Sequence, residues 1–181
     1  MTLPGTRAGE TTPGTSERHR GMDPSFISPF VTSIQNVFST MLQLPVDIGD
    51  PRVKTEKGSS HDVSGIIGMS GEITGSVVLS FPKETAERVV SLFCGMELNA
   101  DSPDFADAIG ELVNMVSGGA KAQFPDNRRV SISVPSVVVG DNHSIAGQSD
   151  APCVVIPCST DCGELCIEVA IKEQAGAQAA A

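Results

Sequence analysis

Tryptophan and tyrosine are absent from this chain of 181 residues, and it holds only seven phenylalanines. Aromatic platforms for stacking bases or sugar rings are therefore poorly supplied. Positive charge is scarce as well. Twelve Lys and Arg face 22 Asp and Glu for a net charge of −10, with no basic stretch beyond Arg128-Arg129. A nucleic-acid surface must neutralise phosphates, so that class is excluded. No apolar run reaches the roughly 20 residues of a membrane span. The opening stretch, MTLPGTRAGETTPGTSERHRG, has no apolar core and does not read as a secretory signal, so a cytoplasmic protein is expected. The histidines are only His19, His61 and His143, and they read as solvated loop or arm residues. No Ser-His or Cys-His pair presents itself, so a covalent hydrolase with its own triad is not expected.

A disulfide framework is also missing. The cysteines are Cys94, Cys153, Cys158, Cys162 and Cys166, an odd number. The last three are spaced by four, which would suit metal ligands on a helix. Their surroundings, CVVIPCSTDCGELCIEVAI, are β-branched and partly alternating, and strands would scatter the thiols. No tight Cys-x2-Cys pair of the kind zinc sites prefer is present. We read these cysteines as structural, with no metal and no cofactor of the chain's own.

The length fits one domain with tails. Residues 1–22 are rich in Thr, Gly, Pro, Arg and Glu without periodicity and read as a disordered arm. The domain is read over 23–173, and 174–181 as a fraying tail. Pro29–Leu44 reads as a first helix, with Ser28 as N-cap, Pro29 in its first turn, and Phe30, Ile34, Val37 and Met41 as its apolar face. A strand is expected over Val46–Lys54. Asp62–Met69 and Gly75–Phe81 form a hairpin, and Lys83–Cys94 is a second helix ended by Gly95. Ser102-Pro103 opens a third helix running to about Gln123. Arg129–Val139 reads as an edge or bulged strand interrupted by Pro135. A short strand is expected over Ser144–Gln148, and a last hairpin from Pro152–Pro157 and Glu164–Lys172. This order predicts an α+β fold, an antiparallel sheet covered by helices.

The third helix carries the most information. Phe105, Ile109, Leu112 and Val116 make one apolar stripe at helical spacing. Asp107, Glu111, Asn114 and Gly118 repeat that spacing two residues later, so at about 100° per residue they lie nearly opposite. One face can anchor the helix while the other presents two acids, an amide and bare backbone. Glu111 and Asn114 are i and i+3 and are neighbours. An amide can orient a water, and a carboxylate can hold a partner's lysine. Such a pair is too sparse to bind and activate a phosphoester alone. Gly118 and Gly119 would each cost the helix about 1 kcal/mol relative to Ala, so close packing or a partner is expected there. Val113, beside the stripe, is a candidate for apolar contact with that partner.

The run Asp107-x3-Glu111-x2-Asn114-x3-Gly118, closed by Gly118-Gly119-Ala120-Lys121, resembles the signature of the CheC/CheX/FliY phosphatases of bacterial chemotaxis. With one motif helix, the chain is most similar to the CheX-like members. The resemblance runs from about Met22 to Lys172 and takes in the opening helix, the Gly-rich hairpin SGEITGSVVLSFP and the closing strands. The family pattern also carries a proline further on, and Pro135 stands there at slightly shorter spacing. The resemblance implies a CheX/CheC-like fold and a protein-aspartate phosphatase acting on a CheY-like response-regulator receiver. Asn114 would position the hydrolytic water and Glu111 would pair with the receiver's active-site lysine. Asp107 and Gly118 would contact the partner, and Mg²⁺ would come with the receiver. The resemblance also implies a homodimer paired through its sheets. The residues leave two other readings open: a noncatalytic receiver-binding or flagellar-switch adaptor, and a metal or redox module built on the C-terminal cysteines.

Overall fold

A computed structural model of the chain describes residues 24–55, 61–140, 143, 145 and 151–174. The arm over 1–22 and most of the 174–181 tail lie outside them. So does the strand expected over Ser144–Gln148, apart from Ile145.

Helix α1 spans Pro24–Val37 and runs into a widened π turn, Phe38–Leu42. It starts earlier than Ser28, and Pro29 lies inside it. Pro29 brings no N–H to the helix, yet the extra turn buries Phe26 and Ile27, and Phe26 and Phe30 both pack edge-on against Phe124. Tertiary burial outweighs the proline's local preference here. The π turn also rotates the end of the helix. Its buried side passes through Phe30, Ile34, Phe38 and Leu42, and Met41, expected in the core, is 50% exposed.

The expected strand over 46–54 is broken at Gly49-Asp50-Pro51 into β1 (Asp47–Ile48) and β2 (Arg52–Val53). Strands β3 (Val63–Gly71) and β4 (Ile73–Phe81) form the hairpin, with Val63 opposite Phe81 and Ile67 opposite Val77. Helix α2 spans Lys83–Cys94 and ends at Gly95, as read from the sequence.

Helix α3 spans Phe105–Lys121. Ser102 does not cap it. The Ser102 hydroxyl accepts the Asn99 backbone N–H at 3.2 Å and donates to Asn99 Oδ1 at 3.1 Å, closing the preceding turn instead. After α3 come β5 (Val130–Ile132) and β6 (Ser136–Val139), separated at Pro135, and then the hairpin of β7 (Val154–Thr160) and β8 (Gly163–Glu173).

The strands make one antiparallel sheet in the order β1-β7-β8-β4-β3-β5, with β2 also on β7 and β6 also on β3. β5 and β6 together form one edge, because each pairs only with a different stretch of β3. The core lies between the sheet and the helices, where Val63, Ile67, Val77, Leu79, Phe81, Ile156, Leu165 and Ile167 meet Phe30, Ile34, Phe38, Ile109 and Leu112. Each such side chain contributes about 1.5–3 kcal/mol through burial. The fold is the α+β arrangement expected from the order of elements.

Candidate functional site

The two faces of α3 are as different in the structure as in the sequence. Phe105, Ile109, Leu112 and Val116 are buried, while Asp107 and Glu111 are exposed and Asn114 and Gly118 partly so. The helix sits very close to its supports. A Cβ on Gly65 of β3 would stand 3.0 Å from Val113 and 3.2 Å from Ile109, and one on Gly110 would stand 3.3 Å from Pro135. Pro135, read as a departure in the loop after the helix, is thus packed on the helix itself, against the residue before Glu111. Val113 is fully buried against Gly65 and cannot meet a partner. At 100° per residue it stands nearer the core than the outer stripe.

The two glycines behave differently. On Gly118 a Cβ would find nothing within 4 Å, so the helix backbone is bare there. On Gly119 it would overlap Ser33 Oγ of α1. That hydroxyl is buried and donates to the Val116 carbonyl at 2.7 Å. Gly119 therefore packs on α1 and not on the sheet, and it lets the two helices touch one turn beyond Asn114. Ser33 was not singled out from the sequence, since nothing local marks a serine whose acceptor is 83 residues away.

An open carboxylate and an open amide on adjacent turns can accept and orient groups, but they form no enclosed small-molecule site. Hollows elsewhere among the described residues are lined by other residues, Leu92, Met96 and Leu98 beside α2, and Arg52, His61 and Cys166 beside the β7–β8 hairpin. The convex stripe suits a protein partner.

His61 and His143 are not solvated loop residues, and His19 lies outside the described residues. His61 Nδ1 lies 3.0 Å from the hydroxyl of Ser80, and His143 Nε2 lies 2.8 Å from that of Ser64, two buried serines that face each other across β3 and β4. His143 Nδ1 donates to the Gly140 carbonyl at 2.7 Å, so the ring bridges Gly140 and Ser64. Burial is the main influence on His61 and lowers its pKa, against the opposing effects of the Ser80 bond and nearby Asp62, Glu164 and Glu168. Both rings belong to the sheet face away from α3.

The cysteines are free. Cys158 and Cys162 join the core, and Cys166 sits opposite Ser80 on the other sheet face. Burial pushes Cys158 up to about 12 and raises Cys153, Cys162 and Cys166 as well, which disfavours the thiolate that metal binding or redox chemistry needs. Among the described residues, no group of three or more His, Cys, Asp or Glu is placed to hold a metal ion.

The family model described as chemotaxis phosphatase CheX matches residues 63–159, which take in α2, α3 and strands β3 to β6. The chain belongs to the CheX family. The CheY-P phosphatase CheX of Thermotoga maritima is 32% identical over 121 residues, covering 66% of this chain and 78% of the relative. A chemotaxis protein CheX from Desulfovibrio desulfuricans superposes with a TM-score of 0.75 at 34% identity, over 82% of this chain and 99% of that one. A third CheX is that of the CheX-CheY-BeF3-Mg²⁺ complex from Borrelia burgdorferi, with a TM-score of 0.68 at 25% identity over 82% of this chain and 98% of that one. The antiparallel sheet with its helices is thus the CheX architecture. No helix among the described residues is long and apolar enough to cross a membrane.

Proposed function

We propose that this CheX-family protein dephosphorylates a CheY-like response regulator, and that Glu111 and Asn114 do so by entering the receiver's active site. One observation carries the reading: a carboxylate and an amide stand as neighbours on the open face of a helix whose other face is locked to the sheet and to α1. Asn114 orients the attacking water. Its carbonyl accepts from that water, and its NH₂ fixes the amide plane. Glu111 pairs with the receiver's lysine and sets the docking register. Asp107 and the bare backbone at Gly118 extend the contact surface. This chain brings no cofactor, and Mg²⁺ arrives with the receiver, in keeping with the Borrelia complex. What the chain adds is orientation, in a reaction whose charge the receiver already neutralises.

The reading places the protein in the cytoplasm, where response regulators work, and as a homodimer that leaves both α3 stripes free. Its test is phosphate release from phosphorylated candidate receivers with and without the protein. Faster release at substoichiometric protein is expected. Binding without any acceleration would instead establish the adaptor reading.

A further inference from the structure

The polar stripe does not stop at Gly118. Lys121 follows Asn114 by seven residues, so at about 100° per residue it stands only about 20° away from it around the helix. Along one line the stripe reads acid, acid, amide, bare backbone, cation: Asp107, Glu111, Asn114, Gly118, Lys121. The cation lies about 10 Å along the axis from Asn114 and about 21 Å from Asp107.

Lys121 has features of a group held for a partner. The chain carries a net charge of −10, and three of its other basic side chains find acids: Lys54 with Glu168, Arg88 with Glu84, and Arg128 with Glu173 and Asp126. Among the described residues, Lys121 has no ion pair. Its neighbours one turn back are Ser117 and Gly118, neither of them an acid. The turn that bears it does not fray. The Ala122 N–H reaches the Gly118 carbonyl at 3.2 Å, Gln123 Nε2 donates to the Gly119 carbonyl at 3.0 Å, and Ser33 holds Val116 from α1. A side chain in a helix leans toward the N-terminus, which is the direction of Gly118 and Asn114 from Lys121.

We infer that Lys121 is a docking residue that pairs with a carboxylate of the receiver about 10 Å from its phosphorylated aspartate. This rests on the proposed function. A stripe negative at one end and positive at the other accepts a partner in one direction only, since reversed docking would set like charges together. Glu111 and Lys121 thus fix orientation from both sides of Asn114, while the chemistry stays with Asn114.

The test compares Lys121→Glu, Lys121→Gln and Lys121→Arg with the wild-type protein in dephosphorylation of the receiver at low and high salt. Lys121→Glu should raise the half-saturating receiver concentration about tenfold or more at low salt, with the effect shrinking as salt rises. Turnover at saturation should be unchanged, and Lys121→Arg should retain near-wild-type affinity. A lysine that only complements the helix dipole would give the opposite pattern: Lys121→Gln would lower the melting temperature and leave the half-saturating concentration alone, which would overturn the inference. A fall in saturated turnover with unchanged affinity would overturn it too. Failure of the phosphatase reading itself is distinguishable, because the wild-type protein would then not accelerate release at all.

Discussion

The placement of Asn114 and Glu111 on the outer face of one helix could be read from the sequence, because it depends only on their spacing. His61 and His143 could not, because their serine partners are 19 and 79 residues away and meet them only once β3 and β4 pair. The lowered pKa of His61 has a consequence for stability. Its folded value lies below the ordinary 6.5, so the unfolded chain binds more protons wherever the two differ. Its neutral form therefore carries no penalty above about pH 6.5, and stability falls as pH drops from there toward the folded value. Urea unfolding of the wild-type protein should show lower stability at pH 5.5 than at pH 7.5. His61→Gln should flatten that slope by removing the titrating group. A slope identical in the variant would show that His61 titrates alike in both states.

At the scale of elements, periodicity located α3 and the β3–β4 hairpin, and Gly95 marked the end of α2. The misjudged features were those decided by packing. The start of α1 was set by the burial of Phe26 and Ile27, with Phe26 edge-on to Phe124, the exposure of Met41 by the π turn, and the Ser102 turn by Asn99. Adjacent glycines in α3 give a direct test of how that helix is held. Gly118→Ala meets nothing, so it should stabilise the fold by up to about 1 kcal/mol through helix propensity, while its new methyl group on the docking face weakens receiver binding. Gly119→Ala should be destabilising despite the same propensity gain, because it displaces the Ser33 hydroxyl from Val116 and strands it in the core. In Ser33→Ala/Gly119→Ala the two β-carbons would stand 3.4 Å apart, an ordinary contact, and stability should recover. Denaturant midpoints of the four proteins decide it. Equal shifts for Gly118→Ala and Gly119→Ala would contradict the packing described.

For the whole molecule, the fold class followed from the order of helices and strands, but the sheet order did not, since it depends on pairings far apart in the chain. The run Ser136–Val139, read from the sequence as an uncharged edge, does lie at the β5/β6 edge, with Val139 at its end and Val134 just before it exposed. Unpaired backbone there is a ready pairing surface, so sedimentation at micromolar concentration should show a homodimer, and a monomer would refute it. Val139→Lys, which charges that edge, should shift the dimer toward monomer. What α3 does to a receiver is decided by the rate of phosphate release from a phosphorylated receiver at saturating wild-type protein and at saturating Asn114→Ala. Asn114 is partly exposed and is not one of the buried core residues, so the variant should fold and bind as before. It should lose on the order of 10²-fold or more of the acceleration, as expected for a group that positions the attacking water. Acceleration undiminished in a folded Asn114→Ala protein would show that Asn114 does not position the attacking water.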